Sequence, residues 1–393
     1  MAGPQAYDAA RHDGPDPLHP PAVVDGMFQQ YDETPDAVVF TRRPPFDGSS
    51  GTGRIDDRKQ RARHAHGRRG VTAGVPALAQ MQRHAGTGAQ SVVDPSQVIH
   101  GRDGWLCGGW EDVRRVDLNR TRELCRFVTD AVSIMRAEGL EVALCVTPMK
   151  AWVYREFLPA NCQTGAEATA RHALVIEEFS RNASSNVDHA TQFAALRRSS
   201  RDRRFFKADI HWTPFGGAAA AVDLALAVKD RAGLPAPRMP GTHLGDCISV
   251  RYEGNDLAGF LPPDQRSRFP FEQFRVRRIV GAPQSVGLIE QDGADATIAG
   301  ISFMQTGFGF RSMFSNQPGM AIPLAVQVER FWLDATLLDY LRSDLFKTER
   351  PQPIVWHFLE GNMKVMPDQT GHWSSSAMSA RQLSDDLRRL VRR

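Results

Sequence analysis

Residues 117–147 read DLNRTRELCRFVTDAVSIMRAEGLEVALCVT, and this stretch carries the clearest indication of the fold. Asp117 is a good helix N-cap, and Gly139 permits the backbone turn that ends a helix. Between them, apolar or small side chains recur at the helical spacings of three and four, at Leu118, Thr121, Cys125, Val128, Val132 and Met135. Glu141–Thr147 (EVALCVT) is then a short apolar run, typical of a buried strand in a parallel sheet. Helix and strand joined by a glycine form the repeating unit of an α/β fold.

The same alternation continues along the chain. Helical patterns cover residues 165–182, 214–230, 331–345 and 377–393, and short apolar runs typical of strands cover residues 274–280, 296–301 and 354–358. Upstream, residues 98–106 (VIHGRDGWL) predict a strand, a turn and a second strand, with Gly101 and Gly104 in the turn. We therefore predict an α/β domain over residues 92–393, built on an open, mostly parallel sheet flanked by helices.

Residues 1–91 differ in composition from the rest. They contain proline clusters, a Gly/Ser tract and the basic tract RIDDRKQRARHAHGRRG that begins at Arg54. No periodic apolar pattern persists there, so too little apolar surface could be buried to offset the chain entropy. These features predict a disordered leader. A tether for nucleic acid or for an acidic polysaccharide is the alternative, but the basic tract lacks interleaved aromatic residues, so we expect no nucleic-acid partner.

The overall composition excludes several classes of protein. The chain has 41% hydrophobic residues, 24% charged residues and a net charge of +3, as is ordinary for a globular protein. No apolar run of about 18 residues predicts a membrane span, and the first thirty residues show no apolar segment of a secretory signal. The five cysteines lack zinc spacing, and no nucleotide-binding glycine motif follows a strand. We therefore expect no metal ion and no cofactor.

A candidate general base lies in Asp209-Ile210-His211-Trp212-Thr213-Pro214. Thr213 and Pro214 are typical of a helix start, which leaves Asp209 and His211 in an extended lead-in. In an extended chain, side chains at i and i+2 share a face, so the carboxylate could hold one ring nitrogen and leave the other free to accept a proton. A structural histidine beside a loop-capping aspartate is the alternative.

A candidate nucleophile lies at the end of the apolar run ATIAGISF, residues 296–303. Ser302 follows the strand directly, and in α/β enzymes the carboxyl ends of the strands carry the chemistry. Gly300 permits the tight turn, and the amide of Ser302 could stabilise an oxyanion near a helix start. The five-residue nucleophile elbow of α/β-hydrolases is absent, and a helix cap is the alternative role for Ser302.

A third segment, Thr147-Pro148-Met149-Lys150, also follows a strand. Lys150, or Tyr154 slightly further on, could line the pocket and bind a carboxylate or a hydroxyl of the substrate. The alternative is a solvated lysine and a half-buried tyrosine.

Taken in chain order, these segments resemble the alginate O-acetyltransferase family, whose AlgX/AlgJ-like members carry an SGNH-hydrolase-like domain. The matching elements are G-x-D-G-W-L at residues 101–106, P-x-K at 148–150 with a later Tyr and Leu-Pro, D-x-H-W-T at 209–213 and G-x-S-F at 300–303. The resemblance covers roughly residues 95–360. It departs at Asn255, which interrupts a G-D-L stretch, at the Gly- and Phe-rich residues 303–316, and at His357, where an acidic residue would be expected.

The resemblance implies a triad in which Ser302 is the nucleophile, His211 the base and Asp209 its orienting carboxylate. It implies transfer of an acetyl group onto an exported polysaccharide in the periplasm, with a membrane or carrier protein of the same pathway as acetyl donor. Two alternatives remain open, namely an acetylesterase with the same triad and a non-catalytic polysaccharide-binding scaffold. Separation of His211 and Ser302 beyond hydrogen-bond reach would favour the scaffold.

Overall fold

The structure is a computed structural model. It describes residues 98–392 except 112–113, 115, 182–184, 188, 190–191, 194–201, 230–235, 239, 253, 282–293, 318, 321, 323–334 and 370–376, together with two short strands upstream. Apart from those two strands, the predicted leader at residues 1–91 lies outside the described residues. Its disorder and the domain boundary at residue 92 therefore stay predictions.

The strands are β1 Val23–Val24, β2 Val38–Phe40, β3 Val98–His100, β4 Leu106–Gly108, β5 Val142–Thr147, β6 Ser185–Asn186, β7 His243–Tyr252, β8 Glu272–Gly281, β9 Thr297–Ala299 and β10 Ile354–Leu359. The helices are α1 Leu118–Ala137, α2 Lys150–Val153, α3 Ala166–Arg181, α4 Pro214–Lys229, α5 Pro263–Arg266, α6 Phe310–Asn316, α7 Ala335–Arg342, α8 Asp344–Glu349 and α9 Ala380–Val391. Short 3-10 turns include Ser302–Met304 and Thr306–Phe308.

The central sheet is parallel, with strand order β6-β5-β10-β9. Side chains alternate between its two faces, as the pleat of a strand requires. Ala143, Cys145 and Val355 point into one hydrophobic core, which α4 and α6 cover. Leu144 and Trp356 point into the other core, which α1, α7 and α9 cover. The predicted parallel sheet flanked by helices is therefore confirmed.

Helix α1 shows why the opening stretch could be interpreted from sequence. The Asp117 side chain accepts a hydrogen bond of 2.9 Å from the Arg120 amide and so caps the first turn. Gly139 has φ 75°, in the left-handed region that favours glycine just past a helix end. Both helix boundaries were therefore predictable from single residues.

Helix α4 is nearly all apolar and lies buried beneath the segment that carries the predicted nucleophile. Its first turn is capped by Thr213, whose hydroxyl accepts from the Gly216 amide at 3.2 Å. A Cβ atom at Gly217 would lie 2.0 Å from the Phe308 carbonyl oxygen, so glycine is required for this close backbone approach. The start of α4 is thereby fixed against residues 308–310.

Residues 274–280 were predicted as a strand, and they lie in β8, but not in the parallel sheet. β8 pairs antiparallel with β7 in a second sheet of order β1-β8-β7-β2, in which β1 and β2 run parallel to their neighbours. The predicted strand at residues 274–280 is therefore confirmed, in the second sheet rather than among the parallel strands of the central one. Strand β7 was not predicted, because its sequence HLGDCISVRY lacks a strict apolar alternation; all its side chains except Val250 are half-buried or exposed.

Two properties of the described residues bear on the class of protein. No helix in these ranges combines the length and apolar character needed to cross a bilayer. All five cysteines carry free thiols, and Cys125 and Cys145 lie in the core as the sequence predicted.

Candidate active site

The candidate residues meet at the carboxyl edge of the central sheet. β5 ends at Thr147, β9 at Ala299 and β10 at Leu359, all on one edge because these strands are parallel. Ser302 opens the 3-10 turn that follows β9. This edge is where open α/β sheets place their ligand sites.

Ser302 and His211 are in direct contact although they are 91 residues apart in sequence. His211 Nε2 lies 2.8 Å from Ser302 Oγ. Ser302 is 7% exposed and His211 is 1% exposed, so this hydrogen bond is shielded from bulk water. The separation that would have favoured a scaffold is therefore not observed.

Asp209 holds the other side of the imidazole ring. His211 Nδ1 lies 2.6 Å from Asp209 Oδ1, which also accepts from the His211 amide at 2.9 Å. With Nδ1–H donated to the carboxylate, Nε2 keeps its lone pair toward Ser302. The tautomer is thus the one in which His211 can take a proton from the serine hydroxyl.

The second oxygen of Asp209 is also fully engaged. Asp209 Oδ2 accepts from the Asp256 amide at 2.9 Å and from the Tyr252 hydroxyl at 3.2 Å. Burial by itself would raise the pKa of Asp209, but the His211 imidazole and the hydrogen bonds from His211 and Asp256 hold that pKa below its ordinary value. Asp209 is therefore a carboxylate at neutral pH.

Asp256 brings a third possible metal ligand close to this pair. Its Oδ2 lies 3.6 Å from His211 Nδ1, and suitable atoms of Asp209, His211 and Asp256 all lie within 4.8 Å of one another. A cation here would need a lone pair on Nδ1, which carries the proton donated to Asp209. Amide and hydroxyl donors already occupy Asp209 Oδ2. The donor set therefore suits a hydrogen-bonded triad rather than a metal ion.

Lys150 lies beneath the triad rather than in solvent. Its ammonium is buried and donates to the carbonyl oxygens of Lys207 and Asp209, both at 2.9 Å. Burial lowers its pKa, and the nearby Glu111 carboxylate opposes that change. These contacts position the backbone that leads into His211, and Lys150 also lines the adjacent cavity.

Tyr154 is buried in the hydrophobic core. Its hydroxyl accepts from the Arg204 amide at 2.8 Å, and its ring stacks on Trp105 at a centroid distance of 4.0 Å. Tyr154 is not among the residues that line the cavity. The structure thus brings Ser302, His211 and Asp209 together, with Lys150 behind them, and places Tyr154 in the core.

A mostly apolar cavity adjoins the triad along the carboxyl edge. Its lining includes Ile210 and Phe303, the sequence neighbours of His211 and Ser302, but none of Ser302, His211 and Asp209 themselves. The other lining residues follow β4, β5 and β10 or lie on neighbouring loops: Trp110, Glu111, Thr147, Pro148, Met149, Lys150, Phe205, Leu359, Gly361, Asn362 and Lys364. A small acyl or sugar group at this edge would contact the loops that hold Ser302 and His211.

His357 occupies the position where an acidic residue was expected. Its Nε2 lies 2.8 Å from Thr147 Oγ1, and its Nδ1 faces the Ile301 amide at 3.5 Å. Burial, with His189 nearby, lowers the pKa of His357 to about 3, so the ring is neutral at physiological pH. A Cβ atom added at Gly300 would lie only 3.0 Å from His357 Cβ, so the turn before Ser302 passes close against this side chain. His357 thus supports the turn before Ser302.

Glu360 forms a buried ionic cluster at the end of β10. Its carboxylate accepts from Arg171 Nε at 3.0 Å, lies 3.2 Å from His172 Nδ1 and faces the Met149 amide at 3.4 Å. Burial alone would raise its pKa, but hydrogen bonds and charge from His172 and Arg171 lower the pKa of Glu360 to about 2. The cluster ties α3 to the two loops that line the cavity.

We expect Glu360→Gln to lower the free energy of unfolding by about 3 kcal/mol at neutral pH, because a neutral amide leaves Arg171 buried without its counter-charge. The folded pKa is depressed from 4.5, so the carboxylate stabilises the fold fully above that pH and loses its effect as the pH falls toward 2. Urea unfolding should show that the difference in unfolding free energy between Glu360→Gln and the original protein is smaller at about pH 3 than at neutral pH. The control is Glu177→Gln, which breaks an exposed ion pair with Arg181. It should lower the free energy of unfolding by less than about 1 kcal/mol. An equal difference at both pH values would contradict the assignment.

Several residues around the site were not predicted. Tyr252 and Asp256 lie in the stretch 250–261, whose interrupting Asn255 donates its side-chain amide to the Phe269 carbonyl at 3.0 Å and so folds the loop. Phe303 and Phe308 pack against His211. In the sequence, Tyr252 and Asp256 were marked only by the G-D-L-like stretch, and Phe303 and Phe308 only by the Gly- and Phe-rich segment. Neither pattern indicates which residue these side chains contact.

Comparison with known proteins places the chain in a family. A family model described as an SGNH hydrolase-like domain of the acetyltransferase AlgX matches residues 98–360. The probable alginate O-acetylase AlgJ of Pseudomonas putida is 28% identical over 319 residues, covering 74% of this chain and 77% of that protein.

Two solved structures share the fold. The O-acetyltransferase domain of Pseudomonas putida AlgJ has a TM-score of 0.58 at 22% identity, covering 74% of this chain and 98% of that domain. AlgX of Pseudomonas aeruginosa has a TM-score of 0.52 at 20% identity, covering 73% of this chain and 66% of that protein. Since the family model matches more than half of the length of this chain, the chain belongs to the family of SGNH hydrolase-like acetyltransferase domains represented by AlgX.

Proposed function

We propose that this chain is an O-acetyltransferase that carries an acetyl group on Ser302 and delivers it to hydroxyl groups of an exported polysaccharide. The observation that carries the proposal is the continuous hydrogen-bond chain from Ser302 Oγ through His211 to Asp209, with distances of 2.8 and 2.6 Å. A buried serine on a base held by a carboxylate is the arrangement that nucleophilic acyl transfer needs.

The reaction has two steps, acetylation of Ser302 and transfer of the acetyl group to the sugar. His211 Nε2 takes the Ser302 proton while Oγ bonds to the acetyl carbon, and the donor's leaving oxygen departs with that proton. In the second step a sugar hydroxyl gives its proton to His211 and its oxygen bonds to the acetyl carbon, the bond from that carbon to Ser302 Oγ breaks, and Oγ regains the proton from His211. The backbone amide of Ser302, at the start of a 3-10 turn, is the candidate oxyanion donor in both steps.

The acceptor, the donor and the location are part of the proposal. Relatives named alginate O-acetylase support a polysaccharide acceptor, and the alginate pathway supports action outside the cytoplasm, in the periplasm. A membrane or carrier protein of the same pathway would supply the acetyl group. No residue that we place in the site requires a cofactor.

An acetylesterase would use the same triad with water as acceptor, so the two activities differ in the second step. The scaffold alternative is disfavoured by the hydrogen-bonded geometry of His211 and Ser302. The experiment below distinguishes an esterase from a transferase by where the acetyl group of Ser302 goes.

The test is to trap and chase the acetyl-enzyme. Purified protein is incubated with p-nitrophenyl acetate, quenched and digested, and mass spectrometry should find one acetyl group on the peptide that contains Ser302. Adding a uronate oligosaccharide before the quench should remove that acetyl group and yield acetylated sugar. Acetyl on another residue, or none, would refute the nucleophile, and loss only to acetate would identify an esterase.

A further inference from the structure

Two phenylalanine rings pack against the imidazole of His211. The Phe308 ring is stacked on it at a centroid distance of 4.6 Å and an interplanar angle of 17°. The Phe303 ring lies on it at 4.7 Å and 47°. Both rings are buried. The imidazole therefore has a stacked ring and a tilted ring as apolar neighbours, and its two nitrogens face Asp209 and Ser302.

The backbone holds both rings in place. The Trp212 indole N–H donates to the Phe303 carbonyl at 3.0 Å. The Phe308 carbonyl approaches α4 at Gly217, and Gly309 follows with φ 76°, a left-handed conformation that favours glycine. Phe308 also packs edge-on against Tyr252, whose hydroxyl donates to Asp209. The Gly- and Phe-rich segment thus builds a rigid apolar wall beside the base.

Such a wall affects water and a sugar differently. A water molecule held at a defined position needs about two to four polar partners, and phenyl rings supply none. A water poised at Nε2 would therefore have few partners besides His211. A sugar hydroxyl does not need those partners, because the rest of the bound sugar fixes its position. Removing these rings should thus raise the rate of acetyl transfer to water more than the rate of transfer to a sugar hydroxyl.

We infer that Phe303 and Phe308 are specificity-determining residues that direct the acetyl group of Ser302 to a carbohydrate hydroxyl and away from water. The inference rests on the proposed function and explains why a triad suited to hydrolysis would serve transfer.

The experiment measures the ratio of acetylated oligosaccharide to free acetate at equal consumption of p-nitrophenyl acetate. We expect Phe308→Leu to lower this ratio about tenfold, through faster acetate release from the acetyl-enzyme, whose amount is counted from the initial burst of p-nitrophenol. Phe303→Leu should act in the same direction. Phe310→Leu is the matched control, because Phe310 belongs to the same segment and is buried but stacks on Trp212 instead of His211. Its ratio should stay within about twofold of the original protein.

The outcomes separate the inference from the function it rests on. An unchanged ratio in Phe308→Leu with a normal burst overturns the inference alone. An equal fall in Phe310→Leu also overturns it, because general loosening would then be the cause. No burst and no acetyl on Ser302 in the original protein would refute the proposed function instead. If Phe308→Leu does not fold, Phe308→Met keeps the apolar volume without the flat ring and is measured in the same way.

Discussion

Ser302→Ala should reduce acetyl transfer to an oligosaccharide by at least about 10⁴-fold, because Ser302 carries the one hydroxyl seen on His211 Nε2 among the described residues. Ser302 Oγ lies 2.8 Å from His211 Nε2, and the alanine variant leaves that nitrogen without a nucleophile to activate. The fold should persist, since the change deletes one hydroxyl and one hydrogen bond, at a cost of about 1 kcal/mol. Transfer is measured by mass spectrometry of the sugar with p-nitrophenyl acetate as donor.

The matched control is Ser312→Ala. Ser312 is a buried serine of α6 outside the triad, and its variant should keep near-normal transfer. Comparable thermal unfolding of both variants would show that any loss in Ser302→Ala is chemical. Equal transfer by Ser302→Ala and the original protein would refute Ser302 as the acetyl carrier, and transfer no faster than without protein in both would favour a binding or scaffold role.

Asp209→Asn should lower the rate of acetyl transfer by about 10³- to 10⁴-fold, as expected when the orienting carboxylate of a triad becomes an amide. Both oxygens of Asp209 accept from backbone amides, Oδ1 from His211 and Oδ2 from Asp256. Whichever way the asparagine turns, its NH₂ group faces an N–H donor. The amide therefore cannot preserve both contacts, and the tautomer of His211 is no longer fixed.

Tyr252→Phe is the control for this prediction. It removes one hydrogen bond of 3.2 Å to Asp209 Oδ2 and leaves the contacts with His211 intact, so we expect a loss of about tenfold or less. Steady-state transfer rates of the three proteins are compared at one saturating donor concentration. If Asp209→Asn kept more than about a tenth of the activity, Asp209 would not be the orienting group. The Asp256 carboxylate, 3.6 Å from His211 Nδ1, would then be the next candidate.

The sequence by itself determined the features that depend on neighbouring residues. Asp117 and Gly139 fixed the ends of α1, because a cap and a left-handed turn each depend on one residue. The pairing of Asp209 with His211 followed from an extended chain, in which side chains two residues apart share a face. The family resemblance rested on the order of such local motifs. Those motifs were sufficient to predict the α/β class and the three residues now proposed as the triad.

The tertiary structure decided every contact between residues far apart in the chain. The distance from His211 to Ser302, the hydrogen bond from Tyr252 to Asp209 and the cluster around Glu360 all depend on how strands are ordered in the sheets. No local spacing encodes that order, because parallel neighbours such as β5 and β10 are joined only through long connections. The buried position of Lys150 has the same cause. Its charge suggested either a substrate ligand in the pocket or a solvated side chain, whereas the backbone carbonyls that hold it come from residues 207 and 209.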